Sequence, residues 1–458
     1  MLQSPWLYQL NRKRPVHRLH EYQQSDVIII GAGISGVVTA YHVLRNTPYR
    51  VLMLDAHRVG HGASGKNAGY MLADIERPLK ELVDELGEEI LTKGICALDK
   101  SWEILDAMRA DLELTTPIFP GQGHYGYVQW NAFLMDLENF YWKRAAGIPF
   151  RLFKVRHESS WIQQIPQRYT GLWEPTSQTE IASILEHGGE EFQAVGFRRM
   201  ACGNSALLSE EIVQALMHRF GPRFSLFEET HVTEVNCSHA SVHVRAGSLG
   251  IDGKWAVLCT NGFEQFHITD ADGASLDPKF HTLVTGEVAY MQGFLQEEAK
   301  PAGGFLFVDS VHPSEDPYLY VSRRPFEFDA KPQTLVCLGG PEYILPEDTN
   351  YDPFHEFPAH TEKEFNRFLD SKQRLVTKDD KQIFRWHGLM GYTPNRVRCI
   401  GFEPCQPTLL YNLGCNGLGL MPSMYGGWKI AQLLIKKDDG VHMFDPQDRR
   451  CLLPPRKK

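Results

Sequence analysis

Hydrophobic positions change their period sharply near the start of the chain. Val27-Ile28-Ile29-Ile30 is an unbroken β-branched run, the pattern of a strand buried on both faces as a parallel sheet requires. From Ile34 to Leu44 the apolar spacing becomes helical, and residues 50–55, Arg-Val-Leu-Met-Leu-Asp, return to a strand pattern. Strand, helix and strand in that order predict a βαβ unit. Residues 79–112 mix charged and apolar positions at helical spacing, and residues 123–130, Gly-His-Tyr-Gly-Tyr-Val-Gln-Trp, alternate like a strand. Residues 318–322 and 334–338 read as a hairpin pair, and residues 423–435 as a helix. No internal repeat is found, and no run of about 18 apolar residues predicts a membrane span.

The turn inside the βαβ unit carries the first chemistry. In Gly31-Ala32-Gly33-Ile34-Ser35-Gly36, Gly31 permits the tight turn and Gly33 lets the backbone approach a pyrophosphate. Gly36 allows close helix–strand packing, and the helix N-terminus faces the phosphates. Asp55 ends the second strand about 20 residues on, where a carboxylate can accept hydrogen bonds from ribose hydroxyls. By itself this pattern admits FAD, NAD, or a generic βαβ turn in which Asp55 caps the next loop. The glycine- and serine-rich loop that follows, residues 60–70, can offer backbone donors and the Ser64 hydroxyl to the far side of a long cofactor, or it is a surface turn.

Composition narrows the classes. A chain of 458 residues, 43% hydrophobic and 22% charged, supports two or three globular domains. Its net charge of -9 argues against a phosphate-neutralising surface, so no nucleic-acid partner is expected. Nine cysteines without a CxxC pair suit a reducing compartment, with cytoplasm the default, and show no zinc pattern, so no metal is expected. The basic stretch Asn11-Arg12-Lys13-Arg14 follows too short an apolar run for a secretory signal and reads as part of an ordered arm, with a mitochondrial presequence the weaker alternative. The tail 454–458 is expected to be mobile.

The loop Gly60-His61-Gly62-Ala63-Ser64-Gly65-Lys66-Asn67-Ala68-Gly69-Tyr70 resembles that of the D-amino acid oxidase-like (DAO) superfamily of FAD-dependent oxidoreductases. The likeness is greatest to its gamma-glutamylputrescine oxidoreductase-like branch, where GASGRNGG is typical. The resemblance continues in order along the chain. Residues 255–262, ending Thr260-Asn261-Gly262, look like the family's strand and AT(N/G) turn, and residues 229–235 like the strand whose backbone near Val232 meets the adenine. Trp386-His387-Gly388, Thr393-Pro394-Asn395, Ile400-Gly401 and residues 413–421 resemble the W.G, TPD, IG and closing GxxGxG segments.

The resemblance implies an α/β chain (α+β overall): a Rossmann-like FAD-binding domain with a second, mainly antiparallel β-sheet substrate domain. It divides the chain into an arm at 1–25, FAD-domain pieces at 26–111, 195–262 and 384–437, substrate-domain pieces at 112–194 and 263–383, and a tail at 438–458. It implies FAD contacts from Gly31, Gly33, Ile34, Ser35, Gly36, Asp55, Ala56, Gly62, Ala63, Ser64, Lys66, Asn67, Ala68, Val232, Thr260, Asn261, Gly388, Gly417, Leu418, Gly419 and Met421. Positions that tether the flavin in some relatives hold Gly388 and either Gly65 or Lys66 here, so FAD is expected to be non-covalent; His61 and Cys415 are the residues that threaten this. The chain departs from the family at Asn395, usually aspartate, and at Arg398, commonly proline. Neither is expected to touch the substrate.

The activity implied is oxidation of a C–N bond of a small-molecule amine or amino acid by hydride transfer to flavin N5. The runner-up readings are a dehydrogenase serving another electron acceptor, a flavin-binding protein without turnover, or an RNA-modifying flavoprotein. Candidate catalytic residues are Lys66, Tyr70, Arg323 and His387. Tyr318, Tyr320 and Arg324 share the segment YLYVSRR, which resembles a hairpin that binds a substrate carboxylate in some relatives. Against each stands a plainer role: a salt-bridged arginine, core tyrosines, a lysine paired with phosphate, a histidine satisfying backbone groups.

Overall fold

The computed structural model describes residues 3–263, 266–276, 283–308, 319–345, 351–377, 379–437, 440 and 442–446. Tyr318 and the tail 454–458 lie outside the described residues. The β-branched run becomes the strand Val27–Ile30, every residue buried, at the heart of a six-stranded sheet. Its neighbours are the parallel strands Val51–Leu54 and Trp255–Leu258. Phe224–Phe227 and Gln406–Leu413 extend the parallel set, and Cys399–Glu403 adds an antiparallel edge. Helix Ile34–Asn46 returns the chain between the first two strands and buries Val37, Val38, Ala40, Val43 and Leu44. Helix Leu420–Leu434 packs against it through an almost wholly buried face, and so begins three residues earlier than the expected 423.

The second layer is a ten-stranded, mostly antiparallel sheet. The expected hairpin is there, longer than its sequence pattern: Leu319–Phe328 pairs antiparallel with Lys331–Ile344, Val321 opposite Leu338. The alternating segment 123–130 continues the strand Ile118–Tyr127 only to Tyr127; Trp130 instead starts helix Trp130–Ala145, its indole packed against Phe133 and Trp161. Two expected FAD-domain pieces, 195–262 and 384–437, open on strands that hydrogen-bond into this large sheet, Ala194–Gly203 with Ile118–Tyr127 and Lys381–Tyr392 with Thr285–Gln296. Each strand belongs to the large sheet and then hands the chain on, the first to helix Ser205–Phe220 and the second to strand Cys399–Glu403 of the six-stranded sheet.

A short arm ties the layers together. Ser4 caps the helical turn Pro5–Tyr8 and also donates through Oγ to Gly65 O, while the buried Trp6 indole N–H bonds Asn67 O. No helix among the described residues is long and apolar enough to cross a membrane.

Candidate functional site

Backbone geometry at the glycine turn follows from what each missing side chain would strike. Gly31 adopts φ +105, and a Cβ there would lie 2.6 Å from Cys259 O; one on Gly36 would lie 1.8 Å from Gly31 O. Both positions are closed by the fold itself. Gly33 differs: its φ of -73 suits any residue, and a Cβ would meet only Ser64 Oγ, at 3.1 Å. Ser64 Oγ accepts from Ile34 N–H at 2.9 Å, while Gly33 has no side chain to cap the N–H groups that follow, and the first turn opens on the space lined by Gly33, Ile34 and Ser35. Uncapped amides at a helix N-terminus form an anion site.

That space is a cavity of about 1960 Å3. Small-molecule pockets usually hold roughly 300–1,000 Å3, so this one has room for a dinucleotide and a further molecule. Its lining takes in Gly31, Gly33, Ile34, Ser35, Asp55, Ala56, Gly62, Ala63, Ser64, Lys66, Asn67, Ala68, Tyr70, Val232, Thr260, Asn261, His387, Gly388, Gly417, Leu418 and Gly419. Segments up to 388 residues apart in sequence therefore share one wall. Gly36 and Met421 sit behind this wall, packing the helices that shape it.

Three further placements differ from the sequence reading. Val232 lies not within a strand but between Phe224–Phe227 and Glu234–Cys237, where Glu229 takes φ +49 and turns the chain. Asp55 makes the loop-capping bonds that sequence left open, its carboxylate accepting from Ala32 N–H and His57 N–H, each at 2.7 Å, and it also lines the cavity. Burial raises its pKa, the two N–H donors opposing. Arg323 is not brought to the cavity. It is buried in a bidentate pair with Glu186, both contacts at 2.9 Å, and its Nε–H donates to Pro301 O, so its fork is filled from within the protein. Arg324 likewise lies outside the lining, its guanidinium over Trp6.

Tyr70 and Tyr320 line the cavity with ring centroids 5.8 Å apart, and the Tyr70 hydroxyl donates to Val321 O at 2.6 Å. Burial holds both phenols neutral. Lys66 packs against Gly388 of the strand Lys381–Tyr392: a Cβ on Gly388 would lie 2.5 Å from Lys66 O. Its ammonium stands 5.5 Å from the Tyr351 ring, and burial lowers its pKa. The Tyr351 hydroxyl bonds His387 Nδ1 at 2.8 Å, and His387 stacks on His355 at 3.9 Å. Burial, reinforced by His355, pushes the His387 pKa down to about 4, so the ring is neutral at pH 7.

Sequence reading missed an acidic wall. Glu76 and Glu342 both line the cavity, and the Tyr392 hydroxyl donates to Glu342 Oε2 at 3.0 Å, with Glu76 Oε2 3.5 Å away. Burial first, then the Glu342 carboxylate, raises the Glu76 pKa to about 8. Glu76 also touches the closing loop, since a Cβ on Gly417 would lie 2.1 Å from its Oε2. No local motif announces this pair: 266 positions separate its members, which only the meeting of the strands brings together. The nearby Asp74, Asp136, Lys143 and Arg198 are also in or beside the cavity, but they neutralise one another in ion pairs.

The glycine cradle, uncapped helix and long cavity fit a flavin dinucleotide. His61 and Cys415 both line the cavity. The Cys415 thiol is engaged with Gly391 N–H at 3.3 Å and Asn261 Nδ2 at 3.6 Å, and burial raises its pKa, which keeps it un-ionised and a poor nucleophile. Burial lowers the His61 pKa to about 4. Acid precipitation is expected to release all flavin to the supernatant; yellow colour retained in the washed pellet would show a covalent link.

A profile of the family described as DAO, FAD dependent oxidoreductase, matches residues 26–197 and 204–433. Gamma-glutamylputrescine oxidoreductase of Escherichia coli (strain K12) is 32% identical over 77 residues, 17% of this chain and 18% of that protein, so the matched stretch is under a fifth of the relative's length. Solved structures are similar across nearly the whole chain, among them the following two. L-proline dehydrogenase from P. horikoshii has a TM-score of 0.64 at 14% identity, covering 91% of this chain and 94% of that one. Glycine oxidase from Geobacillus kaustophilus has a TM-score of 0.65 at 12% identity, covering 93% and 99%. At such identities the likeness is one of fold.

Proposed function

Because the chain belongs to the DAO family of FAD-dependent oxidoreductases, we propose that it oxidises a C–N bond of a small amine or amino acid, giving an imine that water hydrolyses. Bound FAD supplies the hydride acceptor at N5. The protein's task is then to bring an ammonium group into the cavity, take one proton from it, and hold the carbon beside nitrogen in place. The observation that carries this reading is the Glu76–Glu342 pair beside the closing loop. Two carboxyls flanking the Tyr392 hydroxyl, with burial and the Glu342 charge raising the Glu76 pKa to about 8, offer negative charge to a cation and a base for its proton. Neutral His387, linked to Tyr351, and Lys66 stand on another part of the same wall. The names of the similar proteins support the substrate class, since proline, glycine and a glutamylated diamine each present a carbon next to nitrogen.

With Arg323 engaged by Glu186, recognition of a substrate carboxylate through that residue is not part of the proposal. The test is a panel of amines and amino acids mixed anaerobically with the purified flavoprotein. Bleaching of the flavin absorbance by at least one amine or amino acid is expected. A flavin that dithionite reduces and no member of the panel reduces would sink the assignment, and oxygen uptake in the same samples separates an oxidase from a dehydrogenase.

A further inference from the structure

Arg398 occupies a place where the resembled family commonly carries proline, and it is 5% exposed. Its guanidinium reaches four acceptors: Ser35 Oγ, Asn412 Oδ1 at 2.8 Å, Asn412 O at 3.0 Å and Gly414 O at 3.4 Å. Every one is neutral. Among the described residues no carboxylate lies within ion-pair distance of it. Burial lowers its pKa to about 10, which still leaves it charged at neutral pH. A buried cation without a counter-ion is strongly destabilising, and side chains of this kind persist where a partner or ligand supplies the opposite charge.

The side chain points to where that charge would come from. Arg398 lines the cavity beside Ser35, in the first turn of helix Ile34–Asn46, where Ser64 Oγ takes the Ile34 N–H and the N-cap Gly33 has no side chain to take another. The Ser35 hydroxyl, accepting from Arg398, lies 2.9 Å from Ser423 Oγ, which donates to Gly419 O at 2.6 Å. One chain of hydrogen bonds thus joins the cation, the dinucleotide helix and the closing loop. We propose that Arg398 is a cofactor-positioning residue whose charge is the built-in counter-charge for the FAD pyrophosphate at the N-terminus of helix Ile34–Asn46. The proposal rests on FAD occupying the glycine cradle. Four of the five guanidinium N–H donors are used within the protein, so Arg398 acts mainly through its field and through the Ser35 hydroxyl it orients.

The experiment compares wild type, Arg398→Met and Arg398→Lys, each stripped of flavin and titrated with FAD and with riboflavin, which carries no phosphate. FAD affinity of Arg398→Met is expected to fall by about 10- to 100-fold, towards the low end of the cost of breaking a buried charge pair because Arg398 acts through its field and not by direct contact. Riboflavin affinity is expected to stay within about 2-fold, and Arg398→Lys to recover part of the FAD loss. Melting adds a readout of opposite sign: without flavin, Arg398→Met should melt at or above wild type, because an uncompensated buried charge is gone, whereas with saturating FAD it should melt below wild type. Equal FAD affinities, or FAD and riboflavin affinities falling together, would overturn the assignment. If the Met variant does not fold, an Arg398→Lys protein with wild-type folding and an FAD-specific loss supports it, and one with no loss overturns it. Failure of the wild type itself to bind FAD is a different result, and it removes the cofactor reading beneath the proposal.

Discussion

A Gly33→Val protein is expected to fold and to purify colourless, while Gly36→Val fails to fold stably. The two glycines stand three residues apart in one turn, yet their surroundings differ. At Gly36 a Cβ would be 1.8 Å from a backbone oxygen, which neither rotamer change nor a small shift relieves, and a destabilisation of at least about 3 kcal/mol follows. At Gly33 the backbone angles, φ -73 and ψ -177, suit valine, and the Cβ would meet a single serine hydroxyl. The rest of the side chain would project into the cavity where the pyrophosphate approaches. FAD affinity should drop on the order of 100-fold or more, about 3 kcal/mol, with the apo melting temperature nearly unchanged. Circular dichroism melts and the flavin-to-protein ratio check both halves. A fully yellow Gly33→Val protein would falsify the placement of the cofactor on this turn.

The second large effect concerns Glu76. Its pKa is about 8 in the folded protein against 4.5 for an exposed glutamate. The folded state therefore binds the proton more tightly than the unfolded state does. Below pH 4.5 both states carry it and the residue is neutral in effect; between 4.5 and 8 stability declines with pH because the unfolded chain releases a proton that the folded state still holds; above 8 both are ionised and the penalty is complete. Linkage sets its ceiling near 5 kcal/mol, and water reaching the cavity reduces it to roughly 1–3 kcal/mol. Glu76→Gln keeps the shape and removes the charge. Substrate-free Glu76→Gln should thus match wild type near pH 4.5 and exceed it increasingly up to pH 8.5, measured as denaturation midpoints. A constant difference across that range would show that Glu76 does not titrate as argued.

Activity should move the other way. In wild type, kcat/KM for an amine should rise through about pH 8 as the pair gains its full charge, and Glu76→Gln should lose that limb. A loss of about 10- to 100-fold in kcat/KM is expected, mainly in KM, because the ammonium loses its buried partner. A variant both more stable and less active fits a carboxyl retained for ligand binding.

Much of the cofactor half is legible in residue order. The turn Gly31–Gly36, the loop 60–70 and the segment 413–421 each describe a local conformation: a strand that must be buried on both faces, a turn closed to side chains, a helix begun without a cap. Such features depend on neighbours within a few positions, and period and glycine placement report them directly. The hairpin 319–344 was visible for the same reason.

The side chains that choose a substrate obey no local rule. Arg323 and Glu186 are 137 positions apart, and nothing in YLYVSRR says that the guanidinium fork is already filled. Glu76 and Glu342 meet because a loop after Tyr70–Met71 and the strand Lys331–Ile344 converge on one cavity wall. Arg398 reads in the sequence as a departure from a family pattern; only the packed structure shows a cation enclosed by neutral acceptors beside the dinucleotide helix. Local sequence thus settled the βαβ unit and its glycines, since backbone sterics act between near neighbours. Burial and charge pairing depend on which distant segments share a wall, and the tertiary fold alone decided those.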